Sequence, residues 1–185
     1  MALSNHERVG KAMEHLKQGL APFIEREFTS VHKEQARAAA DKFVGDDPML
    51  KDQPFANWDA AALLRLMWHA WNQVFSQALG SAQRNFVKEL QNFRNDWAHQ
   101  KPFSTDDAYR AIDTATRLLR AVSAPEAEAT ETMKIELMRH NYAEQVRTEK
   151  RKSMSIEGQA AGQLKPWREV ITPHKDVASG RYQQA

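Results

Sequence analysis

Apolar residues recur at helical spacing along nearly the whole of this chain, and that periodicity limits its fold more than any other feature. Val9, Met13, Leu16, Leu20, Phe23 and Ile24 follow one another mostly at steps of three and four, which gathers them on one stripe of an α-helix. Ser4 and Glu7 precede the stripe as a capping box, each side chain satisfying the other residue's free backbone N–H. The first helix is expected to reach about Phe28, with Pro22 kinking or splitting it. A thinner apolar face predicts a second helix over about Val31 to Phe43. The Gly45-Asp46-Asp47-Pro48 breaker then opens a loop that lasts to Phe55.

Asn57 is the expected cap of the most apolar helix, about Trp58 to Leu79, whose wide stripe marks a central or interfacial element. Gly80 fits its C-terminal stop. The next helix, about Ala82 to Ala98, would bury Phe86, Leu90, Phe93 and Trp97 and end before Pro102. Ser104 with Asp107 caps another, about Thr105 to Val122. A last helix, from near Pro125 to about Lys152, loses its apolar positions as it proceeds. Strand alternation and hairpin dipeptides are absent. The pattern predicts an all-α protein, an antiparallel up-and-down bundle of about five to six helices joined by short connections. Residues 1–152 would form it. Residues 153–185, punctuated by Gly158, Gly162, Pro166, Pro173 and Gly180, form an irregular tail, and the chain reads as the N-terminal piece of a longer protein.

Composition narrows the function classes. With 185 residues, 42% hydrophobic and 27% charged, the chain can bury a proper core. Its net charge of +2 demands no nucleic-acid partner, so any such binding must come from a local patch. The lack of cysteine removes disulfides and thiolate metal sites and suits a reducing compartment. No apolar run approaches the ~20 residues a membrane helix needs, and Met1 to Gly10 does not read as a signal peptide. The expectation is a cytoplasmic protein without a membrane association. No phosphate loop, nucleophile elbow or His-Glu-x-x-His pair is present, and the seven histidines never take metal-ligand spacing on one helix face, so no cofactor or metal is expected.

Arg94 and His99 remain. An arginine, four to six residues and a histidine recur here: Arg26 with His32 and Arg168 with His174 match as well, and chance alone gives about 1.5 such hits. Context selects Arg94. It stands in the last turns of the helix after the most buried one, Asn95 follows it directly, and Asp96-Trp97-Ala98 leads to a histidine at the helix end. The Arg26 pair straddles a helix junction and the Arg168 pair lies in the tail.

With that motif the chain resembles a HEPN domain, of the kind found at the N-terminus of large ATP-binding proteins in bacterial anti-phage loci. The resemblance also rests on Ser4 to Gly10, on Leu66-Met67-Trp68 with Trp71-Asn72, and on Phe103 to Tyr109. Leu164 to Val170 looks like the lead-in to the ATPase portion. The likeness implies an antiparallel bundle that forms a homodimer and brings two Arg/His motifs into one cleft. It implies a metal-independent endoribonuclease in which the ribose 2′-OH attacks the neighbouring phosphate. His99 would move the proton, Arg94 would hold the phosphate and its developing charge, and Asn95 would orient either group. RNA, the ATPase portion and other defence-system components are the implied partners.

Five residues along an ideal helix turn through about 500°, so Arg94 and His99 point about 140° apart. Either the helix ends before His99 and turns it back, or the two groups come from different protomers. A second reading is a non-catalytic module that dimerises or docks a partner for the following ATPase, with Arg94 in a boundary salt bridge and His99 answering the helix dipole. A third makes Tyr109 a target of modification. Trp68, Trp71 and Trp97 are either core and interface packing or base-stacking platforms. Asp59 and His69 either line the cleft or are ordinary surface residues. Lys150-Arg151-Lys152 is either a solvated helix end or an RNA contact.

Overall fold

The computed structural model describes residues 3–44, 50 and 53–154. The expected tail 153–185 lies almost wholly outside them. The described residues hold six α-helices and no strand: α1 (Asn5–His32), α2 (Ala36–Val44), α3 (Ala60–His69), α4 (Ser81–Ala98), α5 (Thr105–Ala121) and α6 (Glu126–Met154). Two compact units divide after Asn141. The described part of the second is the last stretch of α6, which carries Lys150-Arg151-Lys152 and is nearly all exposed up to there.

The first unit is built on α1. Its capping box is present: the Ser4 hydroxyl accepts from the Glu7 N–H, and the Ser4 N–H donates to the Glu7 carboxylate at 2.7 Å. Contrary to expectation, Pro22 neither splits nor ends the helix, which runs unbroken to His32. Pro22 and Gln18 are both exposed, so the Gln18 carbonyl that loses its partner faces water, while Leu20, Phe23 and Ile24 stay buried on the opposite side. Lys33, at a positive φ of 52°, stops the helix. A 3-10 turn over Lys33–Gln35 follows, and α2 therefore begins at Ala36 rather than near Val31.

The long helix expected over 58–79 is also corrected. Trp58 is fully buried beside Phe55, in and just after a 3-10 turn, and its indole N–H donates to the Gln53 carbonyl. Asp59, not Asn57, caps α3, accepting from the Ala62 N–H at 2.8 Å. α3 stops at His69, and a π-helical turn follows over Trp71–Phe75, closed by the Ser76 N–H on the Trp71 carbonyl. The wider turn re-phases the apolar stripe, so Trp71, Val74, Phe75 and Leu79 are still buried. Gly80, at φ −88° and ψ 177°, opens α4 instead of terminating the helix before it.

α1, α3, α4 and α5 form a closed ring: α1 packs on α3 and α5, and α4 packs on the same two. α3 and α4 run antiparallel, since Asp59 at the start of α3 meets Arg94 near the end of α4, while Trp68 late in α3 lies against Arg84 and Lys88. α4 is divided between two neighbours. Val87 and Leu90 are fully buried, whereas Phe86, Phe93 and Trp97 are only partly so. α5, capped by Ser104 and Asp107 as read from the sequence, buries Ala108, Ala111, Ile112, Ala115, Leu118 and Leu119. Its small residues and Gly19 let α5 close on α1: a Cβ at Gly19 would sit 2.5 Å from a Leu119 methyl.

Candidate functional site

A cleft of about 750 Å³ opens between α3 and α4, within the size range of small-ligand pockets. Helical spacing aims side chains into it from both walls. Asp59, Ala62, Arg65 and His69 come from the α3 side, and Lys88, Gln91 and Asn95 from α4 at steps of three and four, with Arg94 beside them. The Gln91 amide donates to the Leu64 carbonyl and fixes the two helices side by side.

Arg94 is held at one end of this cleft. One of its terminal nitrogens donates to Asp59 Oδ2 at 2.8 Å, while Asp59 Oδ1 caps α3. A single carboxylate thus ties the arginine to the start of the neighbouring helix. The Arg94 side chain keeps 28% of its surface exposed. Asn95 is exposed, lines the same cleft, and accepts the His99 N–H on its carbonyl at 3.0 Å.

His99 is elsewhere. It is exposed, is not among the residues lining the cleft, and stands at the C-cap of α4 at φ −87° and ψ 13°. Because its N–H still bonds four residues back, it continues the helical path. The reversal comes one residue later, at Gln100, with φ 56°. The helix therefore does not turn His99 back towards Arg94 within the chain. Of the three site residues read from the sequence, the cleft gathers Arg94 and Asn95.

The end of α4 that carries His99 is buttressed by the first turns of α1. His6 Nε2–H donates to the Trp97 carbonyl at 3.0 Å, its ring stacks on Trp97 at 5.7 Å, and the Asn5 amide donates to the Phe103 carbonyl. Gly10 lies so close that a Cβ there would be 2.9 Å from Trp97 Nε1. Three stretches noted in the sequence, 4–10, 94–99 and 103–109, meet at this end of the bundle. Trp97 is packing here, and Trp71 is core. Tyr109 is partly buried against the core.

Asp59 and His69, left between site and surface by the sequence, both line the cleft. Arg65 and Lys88 line it too and were missed. Their signal was present, an i+4 pair with His69 and the Lys88, Gln91, Asn95 row, but it emerges only once α3 and α4 are known to be neighbours. Among the described residues, no three His, Asp or Glu side chains cluster so as to hold a metal ion, and no helix is long and apolar enough to cross a membrane.

No curated protein and no solved structure matched the chain. The family model described as Swt1-like HEPN matches residues 11–123, which include the cleft, the Arg94 to His99 stretch and the capped start of α5. That match takes in well over half of the chain and agrees with its all-helical ring. This protein belongs to the Swt1-like HEPN family.

Proposed function

We propose that this chain is the HEPN module of a phage-defence protein and acts as a metal-independent endoribonuclease through a composite site, with Arg94 and Asn95 from one copy and His99 from another. HEPN domains are often ribonucleases. The observation that carries the reading is the separation of the motif. Arg94 is anchored by Asp59 in a cationic cleft, while His99 projects from the exposed end of the same helix, where a second copy can reach it.

In the reaction the His99 imidazole takes the proton of a ribose 2′-hydroxyl. The 2′-oxygen forms a bond to phosphorus, the P–O5′ bond breaks, and the departing 5′-oxygen is protonated by water or by an imidazolium. Arg94, with one nitrogen on Asp59 and the rest of its fork available, binds the non-bridging oxygens as charge builds on them. Asn95 orients the phosphate. Cleavage should survive EDTA, leave 2′,3′-cyclic phosphate ends, and disappear in Arg94→Ala and in His99→Ala. Cleavage undiminished in both variants contradicts the site.

The Arg94–Asp59 ion pair itself favours a second reading, a non-catalytic module that dimerises and positions a following ATPase portion or docks other defence components. Under that reading the purified protein dimerises, leaves RNA intact, and loses stability but no activity in Arg94→Ala.

A further inference from the structure

The reaction above uses only the Arg94 end of the cleft. Arg65 and His69, one helical turn apart on α3, and Lys88 on α4 occupy the rest of it, and all three are exposed. No carboxylate among the described residues compensates their charge. Among the described residues neither Arg65 nor Lys88 forms an ion pair, and Asp59 is the one carboxylate that lines the cleft, committed on both oxygens to Ala62 and Arg94. Two exposed cations in a walled groove, with an anchored arginine at its end, constitute a site for an anion.

The anion has a shape. Lys88 and Asn95 are seven residues apart on one helix face, about 10.5 Å at 1.5 Å per residue. A strand advances about 3.4 Å per nucleotide when stacked and further when extended, so the groove spans about two to three nucleotides. Trp68, which would be the base platform, is already covered. The Arg84 guanidinium lies 4.8 Å from its ring centroid and the Lys88 ammonium 5.6 Å. The ring therefore positions cations rather than bases, and the groove reads backbone charge instead of sequence.

We infer that Arg65 and Lys88, with His69 one helical turn beyond Arg65, form a phosphate-holding subsite that carries the nucleotides flanking the scissile bond along the α3–α4 groove. The identity of the strand as RNA rests on the ribonuclease reading. The subsite does not.

A fluorescent, fully 2′-deoxy single strand of ten nucleotides cannot be cleaved by 2′-oxygen attack and so reports binding alone. Anisotropy titrations across a salt series should show wild-type protein binding it, and the Arg65→Gln/Lys88→Gln double variant binding at least ~10-fold more weakly. The slope of log affinity against log salt should be shallower by about 1.4, because each phosphate of a single strand that a cation no longer neutralises removes about 0.7. The Arg65→Lys/Lys88→Arg variant should restore both, and Arg117→Gln on the α5 face should change neither. Melting temperatures establish that the variants fold. Wild-type affinity and slope in the double variant, or no binding by the wild type, overturns the inference. Failure of the ribonuclease reading looks different: the deoxy strand still binds through Arg65 and Lys88, but RNA is not cut.

Discussion

The α5–α6 face and the α3–α4 face of the bundle carry similar side chains and use them differently. On the first, Asp113 accepts from Arg117 at 2.6 Å and Lys134 at 3.1 Å, Lys134 also reaches Glu131 at 2.7 Å, and Arg120 meets the same glutamate. Lys134 is 13% exposed and its charge is fully answered. On the second face Asp59 answers Arg94, while Arg65 and Lys88 have no carboxylate partner among the described residues. Cations whose partners lie within the chain hold the chain together. Cations left open around a cleft are set for something that arrives from outside.

The difference can be tested on activity and stability separately. The largest effect belongs to His99→Ala, which should reduce RNA cleavage at least ~100-fold by removing the proton carrier, with a melting temperature unchanged because the side chain is exposed. On the structural face, Gly19→Ala should destabilise by about 1–3 kcal/mol in denaturant titrations, since its Cβ would meet the Leu119 side chain at 2.5 Å and Ala124 at 2.8 Å. Asp113→Ala should cost about 1–3 kcal/mol by leaving the largely buried Lys134 with one acceptor fewer. Arg65→Gln and Lys88→Gln should each stay within about 0.5 kcal/mol of wild type.

The pH dependence separates the faces as well. Burial works to raise the Asp113 carboxyl, but the hydrogen bonds from Arg117 and Lys134 outweigh it and hold the group below its ordinary value. A depressed carboxylate stabilises the fold above the unfolded-state pKa, near 4, and that contribution is lost as pH falls through the lower folded value. Burial likewise works to lower Lys134, and its bonds to Glu131 and Asp113 outweigh that and raise it. Its contribution is complete below the unfolded value, near 10.4, and is lost as pH climbs through the higher folded one. Stability should therefore decline below about pH 4 and again above about pH 10.5. Asp113→Asn should flatten both limbs in equilibrium unfolding.

Much of this was legible in the sequence. The capping pairs Ser4–Glu7 and Ser104–Asp107 placed the starts of α1 and α5, and the apolar steps gave the six helices. The errors had local causes. Pro22 is tolerated because the orphaned carbonyl below it faces solvent, which a pattern of apolar steps does not report. The run from Trp58 to Leu79 stayed apolar through a π-helical turn, so periodicity read one helix where there are two kinds of turn. Gly80 signals a break equally well from either side. Of the site residues read from the motif, Arg94 and Asn95 line the cleft, and His99 diverges from them as five residues on one helix require. Arg65 and Lys88 went unread because they are far apart in sequence and their spacing signal gains meaning only across the α3–α4 interface.

The central claim is that Arg94 and His99 act from different copies, and mixing two inactive proteins tests it most directly. Arg94→Ala and His99→Ala, combined and allowed to exchange subunits, should regain about a quarter of wild-type RNA cleavage, because half of the dimers are mixed and each of those carries one intact site of two. A mixture as inactive as its components would place both groups in one chain or remove them from catalysis, and would contradict the account.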